Sequence, residues 1–103
     1  MLTLNSAQYA LIRLQGEYDI ARQEELRCQL APAHVAPIAL LDMRDVTFMD
    51  ASALTQLIRL KRQMPDPAVV RMVGVLPDIR RLLDITGLAK TFEIHDTLAG
   101  ARA

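Results

Sequence analysis

The chain has 103 residues, 51% of them hydrophobic, enough to close one core and too few for two, so residues 1–103 are expected to form a single domain. Twelve basic and twelve acidic side chains cancel and only 4% of residues are aromatic, with no Trp, which removes the net field and the stacking platforms that nucleic-acid binding needs. No basic stretch leads into an apolar run at the amino terminus, no window approaches the ~20 apolar residues of a membrane span, and a lone cysteine excludes an internal disulfide; a cytoplasmic chain is the expectation.

In chain order, residues 2–4 and 9–14 are rich in strand formers and flank a turn at Asn5-Ser6, which predicts an antiparallel edge hairpin that Gly16 ends. Asp19 reads as the N-cap of a helix over about residues 20–30, with Glu24 and Glu25 early, Leu26 and Leu30 on one face, and Pro32 as its stop. Cys28, inside that helix, reads as a buried or half-buried small hydrophobe. Residues 38–41 form a continuous apolar run, the pattern of a strand covered on both faces, entered at Pro37; Arg44 and Asp45 then suit a turn. Asp50 is placed to cap the next helix, whose Leu54, Leu57 and Ile58 recur at i, i+3, i+4.

Met64-Pro65-Asp66-Pro67 forces a loop, and residues 69–75 return as an apolar strand. Pro77 and Asp78 open a third helix with Ile79, Leu82 and Leu83 facing inward, Gly87 as the left-handed residue beyond its end, and Leu88 closing the apolar contact. Residues 92–94 predict a last short strand, and Asp96 a cap for a terminal helix through Leu98 and Ala101. Alternation of strand and helix dictates an α/β fold, a small mixed and mostly parallel sheet packed with about four α-helices.

Little in the chain suggests catalysis. His34 and His95 lack ligand spacing and read as surface residues, and no metal-binding, nucleotide-binding or nucleophile-elbow motif occurs among so few glycines. No enzyme activity, metal or cofactor is expected. Asp42, Asp45 and Asp50 are the one acidic group near a strand end, where open α/β sheets bind ligands, but a strand end, a turn and a helix cap account for them better than a divalent ion does.

The start of the central helix is different. Ala51, Ser52 and Ala53 leave its first turn sterically bare, and unpaired N–H groups there favour negative charge. A phosphate on Ser52 is tolerated locally and presents a doubly charged group to any partner docked over it. An ordinary capped helix explains the same residues.

Three segments carry a family resemblance. Leu14-Gln15-Gly16-Glu17-Tyr18-Asp19 resembles the L-x-G-E-L-D of STAS domains, the sulfate-transporter and anti-sigma-factor-antagonist family. The central run from Leu41 through Asp50-Ala51-Ser52-Ala53 to Leu54 resembles L-D-L-S-x-V-x-F-I-D-S-S-G-L, and Ile85-Thr86-Gly87-Leu88 with Phe92-Glu93-Ile94 resembles a late T-G-L and F-x-I. The resemblance implies a non-catalytic interaction module of the anti-sigma-factor-antagonist type, which binds a serine-kinase anti-sigma factor to regulate transcription and is released when that kinase phosphorylates a serine at the central helix. It implies a partner surface of Asp19, Asp50, Ala51, Ser52 and Ala53, with Asp19 and Asp50 flanking the phosphorylation site.

The chain departs from that pattern at the switch. Ala51 occupies the usual acceptor position, Ser52 follows it, and Ala53 replaces glycine. Either Ser52 has taken over as the phosphorylation site, or the module is a non-switchable binder or scaffold; Thr47 and Thr55 are weaker acceptors. A STAS accessory subunit of a lipid or anion transporter, binding its ATPase subunit, is the alternative, and a small enzyme using Asp42, Asp50 and Ser52 ranks last for want of a base near the serine.

Overall fold

A computed structural model describes residues 9–102. Four strands form one sheet in the order β1-β2-β3-β4: β1 Tyr9–Tyr18, β2 Ile38–Met49, β3 Val69–Val73 and β4 Glu93–His95. Every neighbouring pair is parallel. Residues 2–4, expected as an antiparallel partner of the first strand, lie outside the described residues.

The register explains why the pattern of apolar residues builds two unequal layers. Ile12, Leu41, Met72 and Ile94 stand in one row across the sheet, and with Leu14, Met43 and Val70 on the same face they meet the large core cluster. Helices α1 (Gln23–Leu30), α2 (Ala51–Gln63) and α3 (Pro77–Ile85) deliver Leu26, Leu30, Leu57, Leu60, Ile79 and Leu83 to that cluster. On the opposite face Leu40 and Val73 meet Ala101 of the short helix α4 (Leu98–Arg102) in a second, smaller cluster. Leu40 and Leu41 are consecutive and both fully buried, as expected of a strand covered on both sides.

Both long strands run further than the sequence pattern implies. Gly16 does not end β1; its φ of +81° lets the chain step through a register shift and continue to Tyr18. Arg44 and Asp45 are not a turn but part of β2, with exposed side chains, and Arg44 folds back so that its guanidinium holds buried Asp42 at 2.6 and 2.9 Å. That return is possible because Gly74 has no side chain: a Cβ there would sit 2.2 Å from Arg44 Cγ.

Three smaller expectations are corrected. The helix expected over 20–30 is a 3-10 turn, Ile20–Arg22, followed by α1, with Asp19 capping the turn. Cys28 is exposed, because Leu26 and Leu30 already supply the inward face of α1. The terminal helix is capped by Thr97, whose Oγ1 accepts from Gly100 N–H at 3.0 Å, and not by Asp96. Gly87 has the expected left-handed φ, +79°, just past α3.

Leu57 is fully buried between α2 and the sheet, so Leu57→Ala is expected to lower the unfolding free energy by about 2–5 kcal/mol in urea denaturation. On the exposed side of the same helix, Arg59→Gln should change it by no more than about 0.5 kcal/mol.

Candidate functional site

The ends of β1 and β2 bring the two expected aspartates together. Tyr18 pairs with Met49, Asp50 N–H donates to the Tyr18 carbonyl at 3.2 Å, and Asp19 and Asp50 then leave the sheet side by side. Both are extended residues at the start of a helical segment, and both carboxylates cap it. Asp19 Oδ1 accepts from Ala21 N–H at 2.9 Å. Asp50 Oδ1 accepts from Ala53 N–H at 3.1 Å and from the Ser52 hydroxyl.

Residues outside the expected set fix the Asp19 turn. Arg22 Nη1 donates to the carbonyls of Gln15 and Glu17, at 2.9 and 2.8 Å, on either side of Gly16. Its guanidinium lies 4.1 Å from the centre of the Tyr18 ring and pairs with Glu25 at 2.6 Å. Tyr18 is fully buried; its phenol accepts from Gln15 N–H at 3.2 Å and donates to Gln29 Oε1 at 3.0 Å. An arginine three residues after Asp19 carries no sequence signal for this task, since its partners are backbone carbonyls.

Around the capped ends the surface is bare and partly apolar. Ala51 is exposed, Asp50 and Ser52 are half-buried, and Ile20 and Phe48 are 72% and 47% exposed. A shallow cleft of about 360 Å³ runs beside them between the end of β2 and α3, lined by Thr47, Phe48, Met49, Asp78, Ile79 and Leu82. Ala53 departs from the expected surface: it is 1% exposed and packs in the core, so its side chain cannot meet a partner. Its methyl faces inward because the helix turns ~100° per residue from exposed Ala51.

The charge at the site is held in place. The Ser52 hydroxyl, followed by the N–H groups of Ala53, Ser52 and Ile20, keeps the Asp50 carboxyl below the usual aspartate range. A carboxylate stabilised in this way is a poor proton acceptor, and neither His34 nor His95 is hydrogen-bonded to Ser52; the His95 ring stands 3.2 Å from Glu93. Asp42 is neutralised elsewhere, with Arg44 and, at 3.7 Å, Arg13 lowering its pKa. Among the described residues no group of three His, Cys, Asp or Glu side chains is arranged to hold a metal ion. This end of the sheet thus presents two capping carboxylates, with the Ser52 hydroxyl tied to one of them.

This architecture, a parallel sheet with a capped, uncluttered helix start at one end, is that of a small α/β domain. The family model described as STAS domain matches residues 3–101, and the chain belongs to that family. It is 30% identical over 95 residues to an anti-sigma F factor antagonist of Paenibacillus polymyxa, a match spanning 88% of this chain and 81% of the relative. Its fold is similar to that of an anti-sigma factor antagonist from Mycobacterium paratuberculosis, with TM-score 0.83 and 24% identity over 97% of this chain and 87% of the other. It is also similar to the SulP transporter STAS domain from Vibrio cholerae, with TM-score 0.73 and 20% identity over 97% and 81% of the two chains. The chain is therefore a STAS domain of the anti-sigma-factor-antagonist-like kind. No helix among the described residues is long and apolar enough to cross a membrane.

Because its folded pKa is depressed, the Asp50 charge stabilises the fold above the ordinary aspartate pKa, and that contribution disappears as pH falls through the lower folded value. Asn caps as well as Asp but does not titrate. The stability advantage of the wild type over Asp50→Asn in thermal melts is expected at pH 7 and should fade below about pH 4. An advantage that persists unchanged into acid would contradict the assigned role.

Proposed function

We propose that the chain is a non-catalytic protein-binding module that engages a serine-kinase anti-sigma factor through the surface formed by Asp19, Ile20, Asp50, Ala51 and Ser52. The observation that carries this reading is the geometry of the two strand ends: two capping aspartates side by side, followed on α2 by an exposed methyl in place of a bulky side chain. Exposed Ile20 and Phe48 add apolar contact area to a polar centre, the composition that protein interfaces use. The likeness to proteins named anti-sigma factor antagonists supports the partner class.

The same geometry favours constitutive binding over a phosphoserine switch. Ala51 stands outermost, where a hydroxyl would be open to a kinase, and it has none. Ser52 is half-buried and donates to Asp50, so phosphorylation there has to break that bond and place a dianion against a carboxylate. In this reading the module binds whenever both proteins are present, and abundance of one partner sets the output.

Two measurements test the proposal. Ser52→Asp adds a charge at the centre of the surface and is expected to weaken partner capture at least about tenfold, the equivalent of roughly 1.4 kcal/mol. Capture that survives unchanged overturns the surface, and recovery of a transporter ATPase subunit as the specific partner overturns the transcriptional role. Incubated with an anti-sigma-type serine kinase and ATP, the wild type should keep its intact mass while Ala51→Ser gains phosphate. Phosphorylation of the wild type at Ser52 would restore the switchable alternative.

A further inference from the structure

A second site lies outside the surface just described. Between α1, the 3-10 turn Ala31–Val35 and the C-terminal half of α2 is a cavity of about 90 Å³, edged by Arg27, His34, Gln56, Arg59 and Gln63, with Leu30 and Leu60 supplying its apolar wall. Gln56 is the telling residue. It is 3% exposed, yet its side-chain Nε2 has no hydrogen-bond partner. Buried amide donors are satisfied in the great majority of folded proteins, so a buried donor with no protein acceptor beside a cavity calls for an acceptor held within that cavity.

The rest of the lining says what kind of acceptor. No acidic side chain contributes to it. Arg59 forms no ion pair among the described residues, whereas Arg27 already binds Glu24 at 2.7 Å. A guanidinium offers only donors, and the Gln56 amide nitrogen needs an acceptor, so with no carboxylate in the lining the site favours a guest that is negative and rich in lone pairs. Its size is limited too, since the cavity equals about three water volumes of ~30 Å³ each.

We propose that this cavity binds a small tetrahedral oxyanion, either inorganic phosphate or the terminal phosphate of a small phosphomonoester. Gln56 Nε2 donates to it from inside, Arg59 supplies the neutralising charge at the rim, and the bound anion bridges α1 and α2. Gln56 and Arg59 stand about 6 and about 10 Å along α2 from Ser52, at 1.5 Å per residue, and neither belongs to the surface described above.

The test is an NMR titration of the ¹⁵N-labelled chain with sodium phosphate, with glycerol phosphate, and with sodium chloride at matched ionic strength. Saturable shifts of the Gln56 side-chain amide, and of the backbone at Arg27, His34 and Arg59, are expected with phosphate and not with chloride. Arg59→Gln should weaken the affinity at least about fivefold. Gln56→Leu should abolish saturation, and Arg80→Gln, on the remote face of α3 and paired with Asp84, should leave it unchanged. Saturation by the ester alone assigns the group to the head of a larger molecule and sustains the proposal. Shifts that follow chloride equally, or phosphate binding indifferent to both Gln56→Leu and Arg59→Gln, mean an adventitious ion only and overturn it. Should Gln56→Leu fail to fold, Arg59→Gln decides alone, because Arg59 is exposed.

Discussion

The pairing of Tyr18 with Met49 governs where Asp19 and Asp50 stand, because both strands stop there and the next residue of each is one of these aspartates. Were the ladder one step out of register, one carboxylate would face a strand and the other a loop. The register is defended on both sides. Buried Tyr18 cannot shift without breaking its bonds to Gln15 and Gln29, and the Asp50 N–H to Tyr18 carbonyl bond closes the ladder beyond the last pair. Sheet geometry is converted into site geometry with no flexible link between them.

Local electrostatics then turn a structural cap into a persistent charge. Asp50 is fixed by the Ser52 hydroxyl and the Ala53 N–H of its own helix, and the Ile20 N–H of the neighbouring turn adds a small further preference for its charged form. A carboxylate already stabilised in this way has little to gain from accepting a proton and stays charged in a fixed orientation. The SulP-type likeness concerns the scaffold, since a fold shared at 20% identity constrains the backbone and leaves the exposed side chains free to differ.

Helix positions were legible from the chain because one wall of each helix faces the sheet: Leu54 and Leu57 of α2, and Ile79 and Leu83 of α3, are buried where the i, i+3, i+4 pattern puts them. Strand lengths were not. Gly16 reads as a terminator, yet in a parallel ladder its left-handed conformation makes a register shift and not an end. Arg44 and Asp45 read as a turn because they are charged, but a strand tolerates charge wherever its side chains reach solvent. In the candidate site Asp19 and Asp50 were visible as caps, whereas Arg22 was hidden, since a side chain that binds backbone carbonyls leaves no complementary residue in the sequence. Ala53 misled for a related reason, because small size suits both close approach from outside and tight packing within.

The Arg22 clamp has a practical side. By holding the carbonyls of Gln15 and Glu17 with one guanidinium nitrogen, it closes the chain from Gln15 to Arg22 into a hydrogen-bonded ring. An extra residue spliced into that ring has no slack to occupy, and the aspartate it carries would swing out of alignment with its neighbour. The exposed loop at Pro65, Asp66 and Pro67 lies at the other end of α2 and carries none of these ties, which makes it the natural splice point for an epitope or a reporter domain.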